Sequence, residues 1–351
     1  MMKTITIGNR HIGHDHEALV IAEIGVNHDG SVERALELVT AAREAGADAA
    51  KLQIFTAERL MHRSSRFADY QKDRCAEADP VAMLRRYELP RKGLERICAA
   101  MRDADLLPLA TPFSPEEVDV IEELDLPAIK IASPDLVNRP LLQRAAQTGK
   151  PLLISTGAAT MDEIALTASW LAEWNAPYAL LHCVSSYPTP ADQANLCWIG
   201  ELAARFDAPI GYSDHTTEPW AGALAVAAGA CIIEKHLTYD RAAQGPDHSA
   251  SSDPAQFAQY IWMIRGAQRL RGSVGKHVLD VENDVRQVSR QSLVLRTELR
   301  KGQVLREHHL TVQRPGTGIP AGQIQQAIGR KLRRSLEAGD MLQWDMLSDA
   351  A

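Results

Sequence analysis

Eight times between residues 20 and 238, a short apolar run of strand character ends in polar residues and gives way to a segment of helical period. The runs are VIAEIGV (20–26), AAKLQIF (49–55), LLPLATPF (106–113), AIKIAS (128–133), PLLISTG (151–157), YALLHCV (178–184), PIGYSD (209–214) and CIIEKHLT (231–238). Strands alternating with helices build a parallel sheet, because each parallel connection must cross over a sheet face. Eight such units with no strand left over predict a closed (β/α)8 TIM barrel rather than an open doubly wound sheet. The fold class is α/β.

At 351 residues the chain exceeds the roughly 250 that a barrel needs, so a small second domain is expected. Residues 3–15 alternate and turn at Gly8-Asn9, which predicts a hairpin plugging one end of the barrel. Ser31 before VERALELVTAAREAG and Ser114 with Pro115 before EEVDVIEELD supply helix starts. The stretch from Thr56 to Leu89, with Tyr70, Cys75 and Tyr87, shows no clear pattern and is expected to be a functional loop or lid. Residues 253–272 form the closing helix. The expected domains are a barrel over 1–275, a polar aperiodic linker over 276–290, and a small β-rich domain over 291–351 with Gly turns. Trp170, Trp174, Tyr260 and Trp262 are expected in core or rim packing.

A net charge of −7 disfavours nucleic acid or an anionic membrane as partner, so an anionic substrate would need locally placed lysines or arginines. Five scattered cysteines without a CxxC pair argue against disulfides or a structural zinc site and for a reducing cytoplasm. Neither a signal core nor a membrane-length apolar run is present, so neither secretion nor anchoring is expected.

Barrel chemistry sits at the C-terminal ends of the strands. Those ends carry Glu23, Lys51, Gln53, Lys130, Ser133, Asp135, Ser155, His182, Ser185, Ser213, Asp214, His215, Glu234 and His236. Residues two apart share a strand face, so Lys51 with Gln53 and Glu234 with His236 can both point inward. Two lysines and several serine hydroxyls at one mouth, some on helix N-termini, suit a phosphate. The lysines sit among apolar neighbours, where an unpaired ammonium is costly, and Glu23 and Glu234 are either their buried partners or reactive groups. His215 and His236, on adjacent strand ends, suggest one shared divalent ion, with Asp247 and His248 following in GPDHS.

The ordered set AEIGVNHDGS, AAKLQIF, TPFS, IKIAS, ISTG, LHCVSSYPTP, IGYSDHT, EKHLT and GPDHSAS resembles the N-acetylneuraminate (sialic acid) synthase family. QRPGTGIP, IGRKL and EAGD resemble that family's C-terminal antifreeze-like (SAF) domain. The resemblance spans essentially the whole chain. It implies condensation of phosphoenolpyruvate with an N-acetylated mannosamine or related amino sugar to a nonulosonic acid plus phosphate. It further implies that His215 and His236 hold Mn2+, with Mg2+ or Co2+ as alternatives, and that Lys51, Lys130, Ser133, Ser155 and Ser213 cradle phosphoenolpyruvate. Gln53, Tyr187 and Asp247 would meet the sugar hydroxyls, Glu23 and Glu234 would support the site, and Arg314 would reach a partner's barrel in a domain-swapped homodimer.

Three departures bear on the sugar. Ser133-Pro134-Asp135 stands where sialic acid members have Ser-Gly-Glu, so the catalytic carboxylate at Asp135 is one methylene shorter and its backbone is fixed by Pro134. Ser185 occupies a substrate-binding position that is Asn in those members, and residues 56–89 contain no Asn to match one they place near the phosphate. Other readings of the same residues are a phosphoenolpyruvate synthase for a different sugar aldehyde, a barrel metallohydrolase using the histidines with Asp214 or Asp247, and a catalytically silent sugar-binding scaffold.

Overall fold

The computed structural model describes residues 4–62, 65 and 79–348. Tyr70 and Cys75 lie outside the described residues. The chain forms two compact units, Met1–Ser273 and Val274–Ala351.

The first unit opens with an antiparallel hairpin, β1 (Ile5–Ile7) and β2 (Arg10–Ile12), in which Ile5 faces Ile12 across the ladder. Eight parallel strands follow: β3 (Leu19–Gly25), β4 (Ala49–Ile54), β5 (Leu107–Pro112), β6 (Ile129–Ile131), β7 (Leu152–Ser155), β8 (Tyr178–His182), β9 (Ile210–Asp214) and β10 (Ile232–His236). They pair in sequence, and β10 pairs with both β9 and β3, so the sheet closes into the expected barrel.

Alternation along each strand sorts side chains into two cores. Val20, Ala22 and Ile24 pack outward against the helices, while Leu19, Ile21, Ala49, Leu109, Leu153 and Ile232 fill the interior. Ile5, Ile7 and Ile12 join the interior cluster, so the hairpin plugs the end where the strands begin. Truncating fully buried Ile7 to Ala would cost about 2–5 kcal/mol. Two residues beyond this apolar layer the inward positions turn polar, and there the site begins.

The helices follow their expected starts. Ser31 Oγ accepts from Arg34 N to cap Val32–Glu44. Ser114 stands at the cap position of Pro115–Glu123, but its hydroxyl bonds the Glu116 carboxylate instead of a backbone N–H. The stretch 56–89, expected to be irregular, contains the helices Ala57–Leu60 and Pro80–Tyr87, the second capped by Asp79 and started by Pro80. Each is short, too short for the apolar period to show.

In the second unit β11 (Ser292–Leu295) and β12 (Leu310–Gln313) pair antiparallel over a small core that includes Leu293, Leu305, Leu332 and Leu342. The segment read as an aperiodic linker holds the helix Asn283–Ser289. Val281, Val285 and Val288 mark its period, and all three are exposed. Trp262 also departs from expectation: it is 69% exposed, whereas Tyr260 is buried.

Candidate active site

The inward residues beyond the apolar layer form a polar ring. Register sets it: Glu23 pairs with Lys51 and with His236, and Glu234 with Ser213. Lys51 Nζ lies 2.7 Å from Glu23 Oε2 and 3.6 Å from Glu234 Oε2, and donates to Thr111 Oγ1 at 2.9 Å. Lys130 Nζ lies 3.8 Å from Glu234 Oε1 and donates to Ser155 Oγ at 2.6 Å. Ser213 Oγ donates to Glu234 Oε1 at 2.9 Å, and Gln53 Nε2 to Glu23 Oε1 at 2.9 Å. Ser133 Oγ accepts from Gly157 N at 3.0 Å and touches Cys183 Sγ at 3.0 Å. Gly157 and Cys183 apart, these groups line one cavity of about 410 Å3, together with Phe55, Met83 and Tyr87.

Burial and charge set the protonation states. Burial would raise the Glu234 pKa, but Lys130 and Lys51 outweigh it and bring it down to about 2. Burial likewise works against the Lys51 cation, and Glu23 and Glu234 overcome it, leaving its pKa raised. Burial prevails at Lys130, which loses its proton more readily than an ordinary lysine. At Glu23 burial and the Glu234 charge outweigh Lys51 and raise the pKa. The 2.7 Å contact with Lys51 is that of an ionised pair, so Glu23 rests as a carboxylate that accepts a proton more readily than usual.

Two imidazoles stand at the rim, ring centroids 5.7 Å apart, with the Tyr187 ring 4.0 Å from His215 and 5.8 Å from His236. Burial lowers the His215 pKa to about 4 and holds His236 well below 6.5, so both are neutral. His215 Nδ1 donates to Val184 O at 2.8 Å, which leaves the Nε2 lone pair free for a ligand, 3.4 Å from Ser213 Oγ. His236 Nδ1 is buried without a hydrogen bond, 3.7 Å from Asp247 Oδ2. Neutral nitrogens, one of them orphaned, fit a divalent cation. Among the described residues no group of three or more His, Cys, Asp and Glu gathers as a metal cluster.

Several strand-end residues lie elsewhere. Asp135 is not among the residues lining the cavity; its carboxylate accepts from Asn138 Nδ2 at 2.9 Å, in the 3-10 turn Ser133–Asp135. Pro134 lines the wall in its place. Asp214 points outward, where it meets Lys235 Nζ at 2.9 Å and Tyr260 OH at 2.7 Å, so it is not available to a water-activating histidine pair. His182 also faces outward, stacked on Tyr212, with Nε2 2.8 Å from Ala194 O. Ser185 and Tyr187 line the cavity, as does Asp247. Arg314 is exposed in the second unit, just after β12. Neither Ser155 nor Ser213 begins a helix and Ser133 opens only the 3-10 turn, so side chains rather than helix ends present the polar wall. Met83, Leu84 and Tyr87 bring part of the expected functional loop into the cavity wall, on a helix whose local start signal is Asp79-Pro80.

Residues 38–276 match the model of the NeuB family, and residues 290–348 that of the SAF domain. The chain belongs to the NeuB family. This NeuB-family chain is 36% identical over 343 residues to N,N'-diacetyllegionaminic acid synthase of Legionella pneumophila, covering 95% of each. Human N-acetylneuraminate-9-phosphate synthase is 30% identical over 342 residues, 97% of this chain and 95% of the human one. The crystal structure of N-acetylneuraminic acid synthetase from Leptospira borgpetersenii with citrate aligns with a TM-score of 0.74 at 33% identity, over 81% of this chain and 95% of that one. The resemblance read in the motifs is thus borne out, as is the barrel followed by an SAF domain. The NeuB-family chain is an enzyme, a carbon–carbon bond-forming synthase. Among the described residues no helix is long and apolar enough to cross a membrane.

Proposed function

We propose that this chain condenses phosphoenolpyruvate with an N-acylated amino sugar of the mannosamine type, giving a nonulosonic acid and phosphate. The observation that carries this is the pair of buried lysines, Lys51 and Lys130, on either side of Glu234 at the floor of a cavity whose rim holds two neutral imidazoles. A metallohydrolase has no use for two inward lysines; a dianionic phosphate with an adjacent carboxylate does.

In this reading Lys51 and Lys130 balance the charge on the phosphate and carboxylate, and Ser133, Ser155 and Ser213 orient them by hydrogen bonding. Gln53, Tyr187, Ser185 and Asp247 meet the sugar hydroxyls in its open-chain form. The enol carbon attacks the aldehyde carbon, whose oxygen takes up a proton; water adds to the resulting cationic carbon and gives up a proton; the C–O bond to phosphate then breaks as the new hydroxyl loses its proton, leaving the keto group and inorganic phosphate. Glu23, with its raised proton affinity, is placed to take up and return a proton at the floor. His215 and His236 would hold a divalent ion, Mn2+ foremost, which when bound supplies Lewis acidity toward the aldehyde and water. Arg314 would hold the sugar's acyl group in the barrel of a partner, in a domain-swapped homodimer. The exposure of Arg314 supports this role.

The test is release of inorganic phosphate from phosphoenolpyruvate with Mn2+ against a panel of free N-acylated amino sugars, with and without chelator. Release with one sugar, abolished by chelation, is expected. Silence across the panel while phosphoenolpyruvate still binds would overturn the amino-sugar assignment in favour of another aldehyde or a silent scaffold.

A further inference from the structure

The loop after β10 brings Pro246 and Asp247 into the cavity wall, yet its only regular element is the 3-10 turn His248–Ala250. Backbone bonds from Thr238 N to Ser252 O and from Ser252 N to His236 O, 2.9 Å each, tie its two ends together, and its middle is fixed from the loop after β3. Asn27 Nδ2 donates to Leu237 O at 2.9 Å and to Ser251 Oγ at 2.8 Å, and Ser251 Oγ donates on to Asp247 O at 2.7 Å. Asp29 makes a second tie. Its Oδ1 lies 3.1 Å from His248 Nε2, and its Oδ2 accepts from Tyr239 OH at 2.8 Å and Arg34 Nη1 at 2.7 Å. His248 is 0% exposed, and its Nδ1 sits 2.7 Å from Thr238 Oγ1, so the residue next to Asp247 is held at both ring nitrogens.

The β3 loop is itself rigidly built. Asp29 adopts φ 51°, in the left-handed region, and Gly30 follows at φ 77° against the Arg86 carbonyl, where any Cβ would collide. That close approach sets the loop directly against the helix Pro80–Tyr87, which supplies the apolar wall. Asn27, Asp29 and His248 are not among the residues lining the cavity.

We infer that Asn27 and Asp29 are positioning residues for Asp247, clamping the segment 239–252 in its binding geometry before the second substrate arrives. The identity of that substrate as an amino sugar rests on the synthase reading; the clamp itself does not. A loop ordered in advance has less freedom to lose on binding, so loosening it weakens the ligand that Asp247 contacts and spares one held by Lys51 and Lys130 across the cavity.

Asp29→Asn tests this, because Asn tolerates the left-handed backbone while its amide cannot receive all three donors. His248→Gln is the second variant. Hydrogen exchange of the substrate-free enzyme is expected to show residues 239–252 exchanging about tenfold faster in either variant, with the barrel strands unchanged. Steady-state rates are expected to show the sugar KM raised about tenfold with the phosphoenolpyruvate KM and kcat within about twofold. Unchanged exchange over 239–252, or equal movement of both KM values, would overturn the inference. A wild-type enzyme that turned over no amino sugar would defeat the synthase reading, and the exchange measurement would still decide the clamp.

Discussion

Glu23 Oε2 lies 2.7 Å from Lys51 Nζ, and neither side chain is more than 4% exposed. A charge pair at this depth is costly to break by halves, since the partner left behind has no solvent. Lys51→Met strands Glu23 and is expected to cost about 3–5 kcal/mol in urea unfolding. The double variant Lys51→Met/Glu23→Gln should recover part of that loss while remaining inactive in phosphate release. A single variant no less stable than wild type would count against an ionised pair.

Gly157 sits where Ser133, Cys183 and Ser185 converge, and a Cβ there would collide with all three. Gly157→Ala is expected to push the Ser133 hydroxyl out of place, because Gly157 N is also its donor. The kcat/KM for phosphoenolpyruvate should fall roughly a hundredfold, about 2.7 kcal/mol of transition-state stabilisation, and the sugar KM should rise as well, because the same Cβ displaces Ser185. An unchanged kcat/KM for phosphoenolpyruvate would show that Ser133 does not serve the anion.

Burial lowers the His28 pKa from 6.5 to about 4. Between these values the unfolded chain binds a proton that the native state refuses, so stability falls as pH drops through the window and is unaffected above it. A shift of this size corresponds to roughly 3 kcal/mol. His28 Nδ1 accepts from Gly30 N at 3.0 Å, and His28→Asn keeps an acceptor there without the titration. Urea midpoints at pH 7.5 and pH 4.5 should therefore differ less in the variant than in wild type.

Neutral His215 and His236 make a further pH argument. A pair of ordinary imidazoles would lose about tenfold in Mn2+ affinity between pH 7.5 and pH 6 through proton competition. Here less than about twofold is expected, read by water-proton relaxation of Mn2+. A tenfold loss would mean that the imidazoles titrate normally.

Arg314→Ala is expected to raise the sugar KM and leave kcat within about threefold. Equal loss in both parameters would remove Arg314 from sugar binding.

The eight strands were legible almost to the residue because each is an apolar run long enough to show its type. Asp79-Pro80 signalled a helix that went unread, since eight residues of mixed charge show too little period. Asp135 and Asp214 could be placed at strand ends, and nothing local told that one would bond Asn138 and the other turn outward to Lys235.

The sequence by itself determined the barrel, which strand residues share an inward face and the residue types that face presents, since strand period and apolar run length are local properties of the chain. Only the tertiary structure decided which of those residues share one cavity and in what charge state. Burial of His215 and His236, the pairing of Lys51 with Glu23, and the reach of Asp29 to His248 across 219 positions are properties of packing. They depend on the low dielectric and fixed distances created when the ring closes, and neither exists along the chain.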